Sequence, residues 1–291
     1  SKKKIQMLKN GEMPFLEKDC DELLIKSIKN KNIFFSSNLE QTVNNSDLIF
    51  ICVGTPSEET GAVNLSFLKN VILDISKYVQ KSGVWKGICV RSTIPPGTIQ
   101  NLIFPILKDN IKLKNLYSIA FCPEFLREGN SVDDFLRPPL TVMSCSDNKI
   151  KKLLSSVWKT LPGNFEILHL SFEEAEIYKY ASNAFHALKI SFANEIALIA
   201  KGYNANPESI MKVLVSDTSL NISPKYLKPG FAFGGSCLPK DLRAIENMAE
   251  KNKIKIPVLS NILKSNDFII QSSANHISKE AINSIGFAGL S

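Results

Sequence analysis

Short apolar runs alternate with amphipathic stretches through the first half of the chain. NIFFSS (32–37), DLIFICVGTP (47–56) and GICVRSTIPPG (87–97) read as strands, the last two running into turns. LSFLKNVILDISKYVQ (65–80) places its apolar side chains at helical spacing, and TIQNLIFPILKD reads as a helix with an internal proline. LYSIAFCPEF and PLTVMS are two further strands. This alternation predicts βαβ units and a parallel sheet. The opening SKKKIQMLKNG reads as helix, and no G-x-G-x-x-G follows an opening strand. Either the fold does not bind a dinucleotide, or its first strand and glycine turn lie upstream of Ser1.

From about residue 149 the pattern turns helical. KIKKLLSSVWKTL is amphipathic, and residues 171–204 read as one long helix. Ser171 and Glu174 form a capping box at its start, and Gly202 suits its end. Such a length suggests a spine or a subunit interface. Further helices are expected at 207–215, 238–251 and 258–276, and INSIGFAGLS reads as a closing strand.

Composition adds bounds. The chain of 291 residues is 44% hydrophobic and 22% charged, as a soluble globular protein of one or two domains would be. No apolar run approaches the ~20 residues that span a bilayer, and the N-terminus lacks a signal-peptide core. The expectation is a cytoplasmic protein without membrane partners. The net charge of +7 is spread along the chain, which suits an anionic substrate. Zinc-knuckle spacing and aromatic–basic interleaving are absent, so nucleic acid is not expected as a partner. The six cysteines include no C-x-x-C, so neither a metal site nor a redox pair is signalled. Cys52 and Cys89 sit in apolar runs, as small hydrophobes do.

Chemistry gathers at three strand ends and two helical positions. VGTP (53–56), RSTIPPG (91–97) and CPEFLREG (122–129) fall where open α/β sheets bind ligands. On the long helix, at ~100° per residue, Asn183, His186 and Asn194 lie at about 40°, −20° and 60° from Lys179. A polar stripe among Ile177, Ala184, Leu188 and Ile196 needs partners. GFAFGGSCLPKD (230–241) sets Cys237 at a helix start after Gly234 and Gly235. The helix dipole there favours a thiolate. Lys240 adds positive charge, and Asp241 is a candidate base or orienter.

FICVGTPS, RSTIPPGT, PEFLREG, AEIYKYASNAFHALKISFANE and PGFAFGGSCLPKD, in this order, resemble the UDP-glucose/GDP-mannose dehydrogenase family. The similarity is nearest to its GDP-mannose 6-dehydrogenase branch, through PGFAFGGSCLPKD and His186. The resemblance implies an NAD-dependent, four-electron oxidation of a sugar C6 alcohol to a carboxylate through a cysteine thioester. It implies Cys237 as nucleophile, Lys179 and Asn183 as oxyanion stabilisers, Asp241 as the group that activates water, and Glu128 at the sugar or in hydrolysis, with Glu124 a helper. Thr55, Thr93 and Lys240 would contact NAD. His186, Asn194, Tyr226, Lys228, Phe231 and Gly234 would contact the sugar nucleotide, GDP-mannose first, with UDP-glucose and UDP-N-acetylhexosamine as alternatives. Lys225 and Lys228 stand where the branch often has tyrosine and arginine, and Cys122 replaces an asparagine.

The fold class so implied is α/β. Residues 1–148 would form an incomplete Rossmann-type parallel sheet. Residues 149–278 would form a mainly helical central domain with the cysteine and a homodimer through helix 171–204. Residues 279–291 would begin a C-terminal nucleotide-sugar domain that is otherwise absent. On this expectation the chain lacks both ends of the enzyme and has little dehydrogenase activity alone. Two other readings remain: a β-hydroxyacid or 6-phosphogluconate type of dehydrogenase, which needs no cysteine, and an inactive dimerising fragment.

Overall fold

The computed structural model describes residues 2–163, 165–202, 204–218, 230–251 and 257–279. The chain forms two compact units. The first comprises residues 1–55 and 64–179, and the second 56–63 and 180–291.

The first unit holds a five-stranded sheet in the order β1 (Leu48–Ile51), β2 (Lys86–Val90), β3 (Tyr117–Phe121), β4 (Leu140–Cys145) and β5 (Glu166–His169). β1·β2, β2·β3 and β4·β5 are parallel. β3·β4 is antiparallel, with Ala120 opposite Cys145, so the expected parallel sheet is in fact mixed. The segment carrying α6 (Ser131–Leu136) returns the chain at the end of the sheet where β3 finishes, without crossing it. Every residue of β2 is buried, as in a strand covered on both faces, and Lys86 at its start donates from Nζ to the Asn44 carbonyl at 3.0 Å.

The two sheet faces follow the two-residue period of the strands. Ile88, Val90, Ile119, Phe121 and Val142 pack with Leu68, Ile72, Ile75 and Val79 of α4 (Ser66–Ser82) and with Leu107 of α5 (Phe104–Asn110). Cys89, Ala120, Cys122 and Met143 pack with Ile150, Leu154 and Trp158 of α7 (Asn148–Trp158). α1 (Lys2–Lys9), α2 (Cys20–Lys29) and α3 (Leu39–Asn44) complete this unit's helices before β1.

Two expectations are revised. Residues 32–37 form no strand: β1 is the edge of the sheet and Phe34 is 87% exposed, so no neighbour takes up their backbone. The expected helix with an internal proline opens as a π-turn over Ile99–Ile103 before α5. Pro105 has no N–H and crowds the preceding turn, which widens there. α7 covers one face of the sheet and β5 extends it, so both belong to the first unit, which runs to Lys179.

The second unit is helical. It takes the greater part of α8 (Phe172–Gly202), then α9 (Pro207–Ser216), α10 (Cys237–Lys251) and α11 (Pro257–Lys279). Its core joins Ala184 and Ala187 of α8, Phe233, Leu242 of α10 and Ile262 of α11. The strand expected at INSIGFAGLS lies outside the described residues. Among the described residues no helix is long and apolar enough to cross a membrane.

Candidate functional site

In the first unit, hydroxyl groups tie the carboxyl ends of β1 and β2 together. Thr55 Oγ1 donates to the carbonyl of Thr93 at 2.8 Å, and Ser92 Oγ donates to that of Val53 at 2.6 Å. Thr55 and Thr93 are both buried. Nothing lies within 4 Å of a Cβ placed on Gly54, so the backbone there is open to a ligand. Parallel strand ends with free space are where such sheets take up a nucleotide, so this edge suits a dinucleotide.

Lys179, the last residue of this unit, is buried on α8. Its Nζ lies 3.4 Å from Glu124 Oε1 and 5.1 Å from the centroid of the Phe125 ring. Glu124 Oε2 accepts the N–H of Leu126 at 2.7 Å, which leaves Oε1 to face the ammonium. Glu128 is exposed. The turn after it is held from the N-terminal segment: Glu17 accepts the N–H of Gly129 at 2.9 Å and of Ser131 at 3.0 Å. Those two backbone bonds hold the Glu17 carboxyl below its usual range. Cys122, the replacement for asparagine, is a core thiol pushed up to about 11 by burial, with the Arg91 guanidinium donating to it at 3.6 Å.

Glu176 was not read from the sequence. It is fully buried on α8, and its two oxygens accept the N–H of Gly97 at 2.6 Å and of Ile99 at 3.0 Å. Burial pushes its carboxyl up to about 7, against the effect of those two donors. Gly97 has φ +83°, and a Cβ there would meet Asn101 Nδ2 at 2.7 Å, so the turn that Glu176 holds requires glycine.

The second unit carries the thiol. Cys237 opens α10 and is exposed, and Gly235 before it adopts φ +75°. Its Sγ lies 3.9 Å from Ser236 Oγ. Asp241, one helical turn on, is 1% exposed. Its Oδ2 accepts a hydrogen bond from Asn183 Nδ2. Its Oδ1 has no hydrogen-bond partner among the described residues, and Lys240 Nζ lies 3.5 Å from it. His186 is half-buried on α8, and Phe231 and Gly234 are exposed in the loop before Cys237.

Asn194 is buried and spends its amide on that loop, accepting from Gly230 N at 2.8 Å and donating to Phe231 O at 3.3 Å. Asn266 on α11, also unread from the sequence, does the same for Phe233, accepting from its N–H at 2.9 Å and donating to its carbonyl at 3.0 Å. Lys225, Tyr226 and Lys228 lie outside the described residues. Among those described, no group of three metal-ligating side chains comes together.

Residues 1–162 match the profile of the UDP-glucose/GDP-mannose dehydrogenase family, NAD binding domain, and residues 173–268 match that family's central domain. GDP-mannose 6-dehydrogenase of Pseudomonas savastanoi pv. phaseolicola is 35% identical over all of this chain and 66% of its own length. UDP-glucose 6-dehydrogenase of Rickettsia typhi is 34% identical over 90% of this chain and 59% of its own length. Among solved structures, UDP-glucose dehydrogenase from the archaeon Pyrobaculum islandicum aligns at TM-score 0.90 and 29% identity, over 96% of this chain and 63% of that one. A ternary complex of GDP-mannose dehydrogenase from Pseudomonas aeruginosa aligns at TM-score 0.74 and 34% identity, over 97% and 64%. The chain spans about two thirds of the length of the first of these curated relatives.

Proposed function

The chain belongs to the UDP-glucose/GDP-mannose dehydrogenase family, and from that premise we propose that it serves the oxidation of a sugar nucleotide at C6, from alcohol to carboxylate, with GDP-mannose as substrate. Two molecules of NAD, bound in turn, would supply the hydride acceptor, one for the alcohol and one for the thiohemiacetal. The remaining steps belong to side chains. Cys237 Sγ adds to C6 of the aldehyde, a C–S bond forms, and the carbonyl oxygen gains a proton. After the second hydride leaves the carbon and the hydroxyl proton passes to solvent, the carbon is a thioester. Water then adds, the C–S bond breaks, and carboxylate and thiol result.

Charge on the carbonyl oxygen is met by Lys179 and Asn183. Asp241 orients the water and takes its proton, Glu128 and His186 contact the sugar, and Thr55, Thr93 and Lys240 contact the cofactor. The observation that carries the reading is the exposed Cys237 one helical turn before the buried, Asn183-bonded Asp241. A single hydride transfer of the 6-phosphogluconate type needs neither.

The preference for GDP-mannose rests on His186 and the PGFAFGGSCLPKD stretch. UDP-glucose is the second reading, favoured by the TM-score of 0.90 to the Pyrobaculum enzyme. A half-reaction tests both. The chain is incubated with the C6 aldehyde of GDP-mannose or of UDP-glucose, and alkylation of Cys237 by iodoacetamide is followed by peptide mass spectrometry. The GDP-mannose aldehyde is expected to protect Cys237 at a concentration roughly tenfold lower. Protection by neither aldehyde sinks the thioester reading, and the reverse order sinks the substrate choice alone.

A further inference from the structure

The loop 230–236 has no regular secondary structure, yet it sets the position of Cys237. Phe233 is its anchor, with a side chain buried among Ala184, Ala187, Leu242 and Ile262. Burying that side chain also draws the Phe233 backbone into the core, where its N–H and C=O need partners. Asn266 supplies both. Its Oδ1 takes the N–H at 2.9 Å and its Nδ2 reaches the carbonyl at 3.0 Å, as a neighbouring strand would. Asn266 is 5% exposed, so its amide is withdrawn from solvent competition. Asn194 holds the loop's other end at Gly230 and Phe231. Only Gly234, Gly235 and Ser236 then separate the Asn266 contact from the thiol. Gly235, at φ +75°, turns the chain into α10.

We propose that Asn266 is a positioning residue for Cys237. By pairing with both backbone groups of Phe233, it fixes the entry of the loop into α10 and keeps the thiol at the helix start. This deepens the proposed function, since it takes Cys237 as the reacting thiol. Alanine at 266 leaves the Phe233 backbone buried and unpaired, so the loop pulls away and the first turn of α10 frays. A thiol on a frayed turn is no longer held at the helix start where Gly235 and α10 place it.

Two measurements on the whole chain test it. In the wild type, hydrogen–deuterium exchange is followed at the Phe233 amide. Exchange at least a hundredfold slower than in an unstructured peptide is expected, and exchange at the peptide rate overturns the proposal without any variant. In Asn266→Ala, alkylation by iodoacetamide is followed at Cys237 and, as an internal control, at the exposed Cys52. A fall of fivefold or more at Cys237 with Cys52 unchanged is expected. Equal falls at both thiols, or a Cys237 rate within twofold of wild type, overturn it. Asn266→Asp keeps the acceptor for the Phe233 N–H and should recover part of the rate. It also serves as the variant to measure where alanine unfolds the chain. Protection by a sugar aldehyde enters neither arm, so the clamp and the thioester reading fail separately.

Discussion

Two buried carboxylates on this chain meet different kinds of partner. Asp241 is paired by side chains, Asn183 Nδ2 at its Oδ2 and the Lys240 ammonium 3.5 Å from its Oδ1. Glu176 is matched at both oxygens by backbone N–H groups and serves the turn after β2. Its carboxyl, raised from 4.5 to about 7 by burial, holds its proton more tightly in the folded chain than in the unfolded one. The contribution of that proton to stability is therefore complete below pH 4.5 and fades as pH rises through 7. Glu17 behaves in the reverse sense: its lowered carboxyl stabilises above its unfolded value and loses that effect as pH falls. Glu176→Gln should remove the loss between those two pH values, on the order of 1–3 kcal/mol. Thermal unfolding at pH 5 and pH 8 measures it. Parallel shifts in wild type and variant would exclude Glu176 as the titrating group.

At the scale of elements, the capping box at the start of α8 was legible and has the expected geometry. Glu174 N donates to Ser171 Oγ at 3.2 Å and Ser171 N to Glu174 Oε2 at 2.7 Å. Ser171→Ala should cost about 1 kcal/mol in chemical denaturation, and no change would show that packing alone fixes this helix end. Long periodic segments such as α4, α8 and α11 could be read because their pattern repeats over several turns. β5 was not read: its four residues, EILH, carry no apolar run, and its pairing with β4 is a long-range choice. The direction of β4 was invisible for the same reason. Among the candidate residues, the placement of Cys237 at the start of α10 and of Asp241 one turn on was readable from spacing along one helix. Glu176, Glu17 and Asn266 were not, because each acts on the backbone of a segment far away in sequence. An amide or carboxylate at one position says nothing about which distant N–H it will meet.

For the whole molecule, the exposed face of α8 bears on assembly. Phe185 is 38% and Phe192 40% exposed, on a helix whose other side packs the core of the second unit. Large apolar side chains on a long helix suit a partner, and a second copy of the chain is the partner expected from the sequence. Sedimentation velocity should give a dimer that Phe185→Glu with Phe192→Glu converts to monomer. A wild-type monomer at micromolar concentration would rule that assembly out.

The thiols packed under α7 have a practical corollary. Burial pushes Cys122 up to about 11 and Cys145 up to about 12, and raises Cys89 well above the ordinary range. At neutral pH these sulfurs are chemically silent, and they stay so while the sheet is intact. With the exposed Cys52 and the part-exposed Cys20 replaced by serine, a fluorophore or spin label coupled at Cys237 would report the loop before α10 with little signal from these core thiols.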